Sequence, residues 1–456
     1  MYTKVLGFIW NSSIRLKIMK RILLKIKELT FSLVFIVLII SNTVFSQTEI
    51  YVKMPVGGYA PMDIGVAEFV PKKVEFTSAE KEMAQRICQV IREDLKFSLM
   101  FYVFEVDSFV FEVLKHDWGN LKGWYDIGAK TVLTGDLEIK GDYIDVSVKL
   151  HDVESLKKIF AHSYKTSIFN YRGLAHAVAD DVVQKITGET PIFSTKIAFV
   201  SKRDDAKELY ICDYDGENLK KLTADNSINL SPRFSPDSRK MTFTSYKEGN
   251  PDLWVLDLDR SENHKISSEL GLNSAASWSP DGRQLALTLT KDGNAEIYLI
   301  NQKGEIETRL TKNWSIDSSP CFSPNGKQIA FTSDRAGAPQ IYVMDLDGSN
   351  VRKLTYETSY NDSPAWSPRG DKIAFVTRSP GGFDVCTIDI TGENFMRLTS
   401  SGSNENPQWS PDGYHLVFSS NTTGKNEIYT MNWDGTNVKP ITEGGENYNP
   451  CWSPSR

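Results

Sequence analysis

The pattern of aromatic and polar positions in the second half of the chain repeats with a constant period. An aromatic residue followed by Ser-Pro recurs every 43 or 44 residues. Its six positions are Phe234, Trp278, Phe322, Trp366, Trp409 and Trp452. A period of this length is typical of propellers and other repeat architectures, in which each repeat is one supersecondary unit.

Two further series keep the same step. One series is Leu or Ile followed by a hydroxyl residue, which stands at Thr223, Ser267, Thr311, Thr355, Thr399 and Thr442. The other places a polar residue before an apolar pair, at Glu208, Asp252, Glu296, Gln340, Asp384 and Glu427. Because three independent series share one period, the repeat is a property of the fold and not a chance match.

Each repeat carries signals for four short strands. After Trp278, Ser279–Gly282 reads Ser-Pro-Asp-Gly, with Pro and Gly where a tight turn favours them. Gln284–Leu289 and Ile297–Ile300 then alternate with polar turns, and a last strand leads towards Leu310. Four strands in about 44 residues predict one propeller blade.

The ends of the repeat array predict how the ring closes. The array begins at Lys196–Ser201, which matches the second strand of a blade but has no first strand before it. It ends at Trp452–Pro454, which matches the first strand of a blade but has no second strand after it. Joining the two fragments completes one blade and removes the open edges. We therefore expect residues 192–456 to form an all-β six-bladed propeller closed by the C-terminal strand.

Residues 62–191 lack the repeat and mix helix with strand signals. Thr77–Glu80 is a capping-box pattern that starts a helix, and Val132–Ile139 with Tyr143–Leu150 forms a hairpin pattern. A last helix is predicted from about Tyr171 to Ile186, before Gly188. The prediction is a mixed α/β domain in front of the propeller.

The first 46 residues have the pattern of an export signal. A basic stretch around Lys20 and Arg21 precedes the short apolar run Phe31–Ile40, and cleavage is expected near Ser46/Gln47. The run is shorter than a spanning helix needs, which favours a cleaved signal over an anchor. Residues 1–18 precede a better start at Met19, so we interpret them as a mis-assigned start.

Charge and motif content exclude several function classes. Residues 1–46 are basic, and the remainder carries a net charge of about −12, which makes nucleic acid a poor partner. The five cysteines include no CxxC, and free buried thiols are the expected state, with one bridge left open. The histidines have no metal-binding spacing, and neither GxSxG nor a P-loop occurs. No cofactor, metal or catalytic residue is expected.

Motifs ahead of the propeller make the chain similar to one family. Asp63–Phe69, Leu133–Gly135, Val148–Val153 and Ile186–Glu189, followed by Lys196–Val200, resemble the TolB N-terminal domain and its junction, in order. Together with the Trp-Ser-Pro-Asp-Gly blades, this resemblance covers nearly all of the chain after the signal.

The resemblance to the TolB family implies a non-enzymatic periplasmic adaptor of the Tol–Pal system. Such an adaptor supports outer-membrane integrity and envelope constriction during division. The propeller would bind the lipoprotein Pal, and the mature N-terminus, here 47–61, would bind TolA. The TolA candidates are Gln47, Thr48, Glu49, Ile50, Tyr51 and Val52. Contacts with other outer-membrane proteins are compatible with this role, and a monomer is expected.

A short polar residue stands five positions before each repeated aromatic residue. The six are Asn229, Asn273, Asp317, Asn361, Asn404 and Asn447. Their neighbours differ between blades: Leu230, Ser274, Ser318, Asp362, Glu405 and Tyr448. We predict that the six form a ring at one mouth of the channel and, with these neighbours, contact Pal. A purely structural role is the alternative, because Asn and Asp favour turns.

The main alternative function is an exported propeller hydrolase or lyase, or a small-ligand binder that uses the central channel. Such a protein needs convergent acid and base groups of unlike character. The predicted ring is nearly uniform Asn, which suits hydrogen bonding to a partner better. The Ser and Asp of the Ser-Pro-Asp-Gly turns recur in the blades and are interpreted as turn residues.

Overall fold

The computed structural model describes residues 61–73, 75–105, 119–203 and 206–455. The predictions of a signal peptide, an early start codon and a TolA-binding segment at Gln47–Val52 fall on residues 1–60, which lie outside the described ones. The described residues belong to one compact unit.

The N-terminal part is a mixed α/β domain, as predicted. Its strands are β1 Met62–Val66, β2 Val70–Pro71, β3 Phe101–Val103, β4 Thr131–Lys140, β5 Tyr143–Asp152 and β6 Lys157–Ser167. Its helices are α1 Ser78–Phe97, α2 Leu121–Asp126 and α3 Tyr171–Thr187, with a 3₁₀ turn at Ile168–Asn170. The sheet order is β3-β1-β4-β5-β6, and β2 pairs with β4.

The two long helices begin and end where the sequence signals lie. Thr77 caps α1 in a complete capping box, in which Glu80 accepts a hydrogen bond from the Thr77 backbone. Gly188 ends α3 in the left-handed region, with φ of +71°, which glycine adopts without a Cβ clash. Both helices bury one face in the domain core, through residues such as Ile91 and Val182.

The propeller has six sheets of four strands. The strands are β7 Lys196–Arg203, β8 Ala206–Asp213, β9 Lys220–Lys221, β10 Asn229–Phe234, β11 Lys240–Ser245, β12 Asp252–Asp257, β13 Glu262–Ser267, β14 Asn273–Trp278, β15 Gln284–Leu289, β16 Glu296–Asn301, β17 Ile306–Arg309, β18 Asp317–Phe322, β19 Gln328–Ser333, β20 Gln340–Asp345, β21 Arg352–Lys353, β22 Asn361–Trp366, β23 Lys372–Ser379, β24 Gly382–Asp389, β25 Met396–Arg397, β26 Asn404–Trp409, β27 His415–Ser420, β28 Glu427–Asn432, β29 Lys439–Pro440 and β30 Glu446–Trp452.

The ring closes as the sequence predicts. One sheet has the order β30-β7-β8-β9, so the last strand of the chain is the innermost strand of the first blade. Trp452 pairs with Ile197, and Cys451 pairs with Ala198. This closure joins residues more than 250 positions apart and leaves no blade with a missing strand.

Antiparallel strands within each blade place their connections alternately on two faces. The tight turns after the first and third strands form one face, which we call the turn face. The connections after the second strand, and those leading to the next blade, form the other, which we call the loop face. Ser279–Gly282 is a hydrogen-bonded turn on the turn face, in which the Gly282 amide donates to the Ser279 carbonyl at 2.8 Å.

The α/β domain shares one hydrophobic core with the first blade and with the blade β26–β29. Phe97 of α1 lies close to Tyr214, with ring centroids 5.2 Å apart, and stacks on His415 at 4.1 Å. Phe193, in the connection between domain and propeller, is buried in the same cluster. None of the described helices is both long and apolar enough to cross a membrane.

Candidate functional site: the loop face of the propeller

The six predicted ring residues lie at the loop-face ends of the innermost strands, but their side chains are buried. Asn229, Asn273, Asp317 and Asn361 have no exposed surface, and Asn404 and Asn447 have almost none. A buried side chain offers no surface to a protein partner. The expectation that the ring itself contacts Pal is therefore corrected: these groups act inside the propeller.

In three blades the ring residue joins the other two repeated polar series. Asn229 donates to Glu208 at 3.0 Å, and Thr223 donates to the same carboxylate at 2.5 Å. Because Asn229 belongs to one blade and the other two to the blade before it, the three side chains connect neighbouring blades. The equivalent groups are Asn361 with Gln340 and Thr355, and Asn447 with Glu427 and Thr442.

At one ring position the carboxylate of Asp317 takes the place of an Asn amide, and neighbouring donors balance its charge. Arg335 donates to both oxygens of Asp317 at 3.0 Å, and Asn313 donates to it at 2.6 Å. Asn273 accepts from Ser267 at 2.7 Å, and Asn404 donates to two backbone carbonyls. Each ring position thus has a structural hydrogen-bonding role, the alternative that the turn preference of Asn and Asp had indicated.

The neighbouring residues of the ring remain partly exposed. Ser318, Asp362, Glu405 and Tyr448 are all half-buried at the loop face. Asp362 accepts from Thr332 of the preceding blade at 2.8 Å, and Tyr448 donates to Glu446 at 3.2 Å. These side chains retain surface that a partner can reach.

Exposed apolar side chains on the loop face were not found by the sequence reasoning. They lie in four successive connections between blades. Trp314 is fully exposed and Leu270 is 84% exposed, although large apolar side chains are ordinarily buried. The others are Ile228, Ile316 and Tyr356. We call these five residues the apolar crescent. A comparison of the repeats would have indicated them, because they occupy connections that otherwise carry polar residues.

The two remaining connections between blades are polar. One contains Ser400–Ser403, and the other contains Glu443–Gly445. The loop face is therefore apolar over four blades and polar over two. Exposed apolar side chains that recur on one face next to polar residues are typical of a protein-binding surface, whereas single exposed residues need no explanation.

The α/β domain packs on the turn face, opposite the apolar crescent. Tyr214, in the turn after β8, donates to Asp94 of α1 at 2.5 Å. His415 Nε2 lies 2.8 Å from the Phe97 carbonyl oxygen, within hydrogen-bond distance. Arg369 reaches Glu189 at 3.3 Å. Each contact starts from a propeller residue at the turn-face end of a strand, so the described residues of the domain leave the loop face accessible.

The central channel is a cavity of about 350 Å³ lined by the innermost strands. A left-handed residue bends each of these strands at the same point, for example Ser231, Ser319 and Asn406. Arg233 and Gln408 face this cavity, together with Cys321. Among the described residues that line it, none is Asp, Glu or His, the usual acid and base groups.

Two family models match the chain. The model described as the TolB beta propeller domain matches residues 183–456, which is more than half of the sequence. The chain belongs to the TolB family. The model described as the TolB amino-terminal domain matches residues 50–159. The family assignment confirms the resemblance that the motifs indicate, and the six four-stranded blades confirm the predicted fold class.

Relatives of the chain carry the same family name. The Tol-Pal system protein TolB of Cereibacter sphaeroides is 33% identical over 42% of this chain and 43% of its own length. That of Paramagnetospirillum magneticum is 31% identical over 47% and 48%, respectively. These alignments span less than half of the relatives' length. A solved structure of TolB from Acinetobacter baumannii superposes with a TM-score of 0.72 at 28% identity, covering 88% of this chain and 98% of that one.

Proposed function

We propose that this chain is a non-enzymatic periplasmic adaptor of a Tol–Pal system that binds Pal through the loop face of its propeller. Membership of the TolB family supports the general role. The observation that carries the binding site is the apolar crescent, which is exposed on the face opposite the α/β domain. Its asymmetry suits a single partner that docks off-centre over four of the six blades.

The proposed contact surface combines anchors and a polar rim. Trp314 and Leu270 are the anchor candidates, because aromatic and large apolar residues dominate the binding energy of protein interfaces. Ser318, Asp362, Glu405 and Tyr448 supply the polar rim and remain candidates for contact. The buried ring beneath them acts indirectly, by holding the innermost strands in place.

The second proposed partner is TolA, bound by residues 47–61. The motif resemblance supports this assignment by position alone. An adaptor with one site for an outer-membrane lipoprotein and another for an inner-membrane protein would connect the two membranes. That connection would serve outer-membrane integrity and constriction during division.

Calorimetry with the soluble Pal domain of the same organism tests the proposal. The chain from residue 47 to 456 should bind with a micromolar or lower dissociation constant, about −8 kcal/mol or better. Trp314→Ala should weaken binding roughly thirtyfold, or about 2 kcal/mol. The control is Phe169→Ala, which truncates an aromatic residue of the α/β domain that is 84% exposed.

Three results would count against the proposal. Absence of binding by a folded protein at high concentration would refute the Pal assignment and direct the search to small ligands of the channel. Binding that is unaffected by Trp314→Ala would move the site away from the crescent. Binding that is weakened equally by Phe169→Ala would place it on the domain. A parallel titration of residues 62–456 shows whether the segment 47–61 influences Pal binding.

A further inference from the structure

A buried polar cluster lies where the α/β domain meets the propeller. It contains Asp94 of α1, His176 of α3, and Asp213 and Asp215 at the end of β8 and the following turn. The His176 side chain is 2% exposed, and that of Asp94 is 1% exposed. The cluster thus combines groups from both regions of the molecule at a site that solvent barely reaches.

The two nitrogens of His176 have different surroundings. Nδ1 lies 2.8 Å from an Asp94 oxygen. Because an ionised carboxylate only accepts hydrogen bonds, this contact favours the tautomer that carries its hydrogen on Nδ1. Nε2 is buried and has no hydrogen-bond partner among the described residues. It faces an Asp215 oxygen at 3.8 Å. When a carboxylate accepts the hydrogen of Nδ1, the unprotonated Nε2 is free to bind a metal ion. Metal-bound histidines commonly have this arrangement.

The spacing of the three ligand candidates suits a small divalent ion. An N–H···O hydrogen bond needs about 2.7–3.2 Å, so the 3.8 Å gap between His176 and Asp215 is too long for one. Two ligands of a tetrahedral zinc ion lie about 3.4 Å apart, close to the observed gap. Single ligand atoms of His176, Asp213 and Asp215 all lie within 4.8 Å of one another. An inward movement of about 1 Å would complete the set.

The charges in the cluster leave room for one more cation. Asp94, Asp213 and Asp215 bring three carboxyl groups into the cluster, and Glu217 lies near Arg172. Arg172 pairs with Asp215, and Lys196 pairs with Asp213. With all three carboxyl groups ionised and a neutral imidazole, the aspartates exceed these two cations by one charge, which either a proton on Nε2 or a metal ion would balance. Lys196 is nearly half exposed and can leave Asp213, whereas Arg172 is largely buried and would orient Asp215 as an outer partner.

We propose that His176, Asp213 and Asp215 form a zinc site that fastens the α/β domain to the propeller. His176 Nε2 and one oxygen from each aspartate are the three protein ligands, and water completes the tetrahedron. Asp94 is a positioning residue that holds the imidazole through Nδ1. Because His176 comes from the domain and both aspartates come from the propeller, the ion bridges the two regions.

Zinc uptake by the chain from residue 47 to 456 tests this site. The protein is first stripped with a chelator and then equilibrated with micromolar zinc chloride. Elemental analysis should find about one zinc per chain, and zinc should raise the melting temperature by several degrees. Asp213→Asn and His176→Gln should reduce uptake below a tenth of the wild-type value. Asp94→Asn should weaken zinc affinity 10–100-fold, as loss of an outer partner does.

Two controls keep the test interpretable. His162→Gln removes an exposed histidine that pairs with Asp181 in the same domain, and its zinc uptake should match the wild type. Asp213→Asn nearly preserves shape, and circular dichroism in chelator verifies that it folds. Uptake below 0.1 zinc per chain in the wild type would overturn the proposal and assign the extra positive charge to a proton on His176. Undiminished uptake by both His176→Gln and Asp213→Asn would overturn it as well.

Discussion

The two faces of the propeller are built from connections between the same strands, yet their chemistry differs. The turn face repeats the Ser-Pro-Asp-Gly type of turn and carries the α/β domain, which contributes Phe97 and Asp94 to the contact. The loop face exposes Trp314 and Leu270 on one side and short polar connections on the other. Residues that repeat in every blade build the ring, whereas those that differ between blades are available for recognition.

The ring beneath the loop face should show the largest effect on stability. Asp317→Ala leaves Arg335 without its carboxylate and should lower the free energy of unfolding by about 3 kcal/mol, the loss typical of a broken buried ion pair. Urea denaturation measures the change. The adjacent Ser318→Ala should stay within about 0.5 kcal/mol. A stable Asp317→Ala protein that binds Pal poorly would show that the ring belongs to the Pal contact surface and does not act only inside the propeller.

A substitution at the contact between the α/β domain and the turn face should have the next largest effect on stability. Tyr214→Phe removes the hydroxyl that donates to Asp94 at 2.5 Å. Because the acceptor is a buried carboxylate, the loss should be about 2 kcal/mol in the free energy of unfolding. Pal affinity should stay unchanged, since Tyr214 lies on the turn face. A parallel loss of Pal affinity would show that the two faces are coupled and not independent.

Acid should weaken the α/β domain through Glu80. Hydrogen bonds from the Thr77 backbone, then from the Ile139 backbone and the Thr77 hydroxyl, hold the pKa of Glu80 at about 2, below its usual 4.5. The folded-state pKa is depressed, so the stabilisation is present above pH 4.5 and is lost as the pH falls through 2.

Glu80→Gln should therefore cost about 1.5 kcal/mol at pH 7 and almost nothing near pH 2. Urea denaturation across this pH range measures the difference between variant and wild type. Glu82→Gln on the same helix, which affects only an exposed pair with Arg86, is the matched control. A constant difference over the whole range would show that the Glu80 charge does not stabilise the domain.

The crescent should show the smallest effect on stability. Leu270→Ser removes an exposed side chain, so the free energy of unfolding should change by less than about 0.5 kcal/mol. Pal binding should nevertheless weaken by roughly 1 kcal/mol, because Leu270 is proposed to be covered by the partner. Calorimetry and urea denaturation on one preparation separate the two effects. A substantial loss of stability would mean that Leu270 supports the fold.

The fold was predictable because its signals are local and repeated. The 43- or 44-residue period and the strand fragments at Lys196 and Trp452 contain the blade count and the closure, and the structure confirms both. The capping residues Thr77 and Gly188 likewise locate the ends of the long helices. Each of these features depends on turn chemistry or on alternation within a few residues.

The site was less predictable because burial depends on residues far apart in the chain. Asn229 is buried through Glu208, which lies 21 positions earlier in another blade. The shared period of the polar series was visible, but their meeting between blades was not. The exposure of Trp314 does not follow from its residue type, since a Trp ordinarily predicts core. Only its place in a connection that is polar in other blades indicates it. Asp94 and His176 are 82 positions apart and meet only in the folded domain.

Hydrogen exchange of the chain with and without saturating Pal tests the central claim most directly, because it reports both faces at once. Pal should slow amide exchange in the connections that contain Leu270, Trp314 and Tyr356. Exchange in α1, in α3 and in the Ser-Pro-Asp-Gly turns should change little. Protection confined to the turn face or to the α/β domain, with unchanged exchange around Trp314, would contradict the assignment of the loop face to Pal.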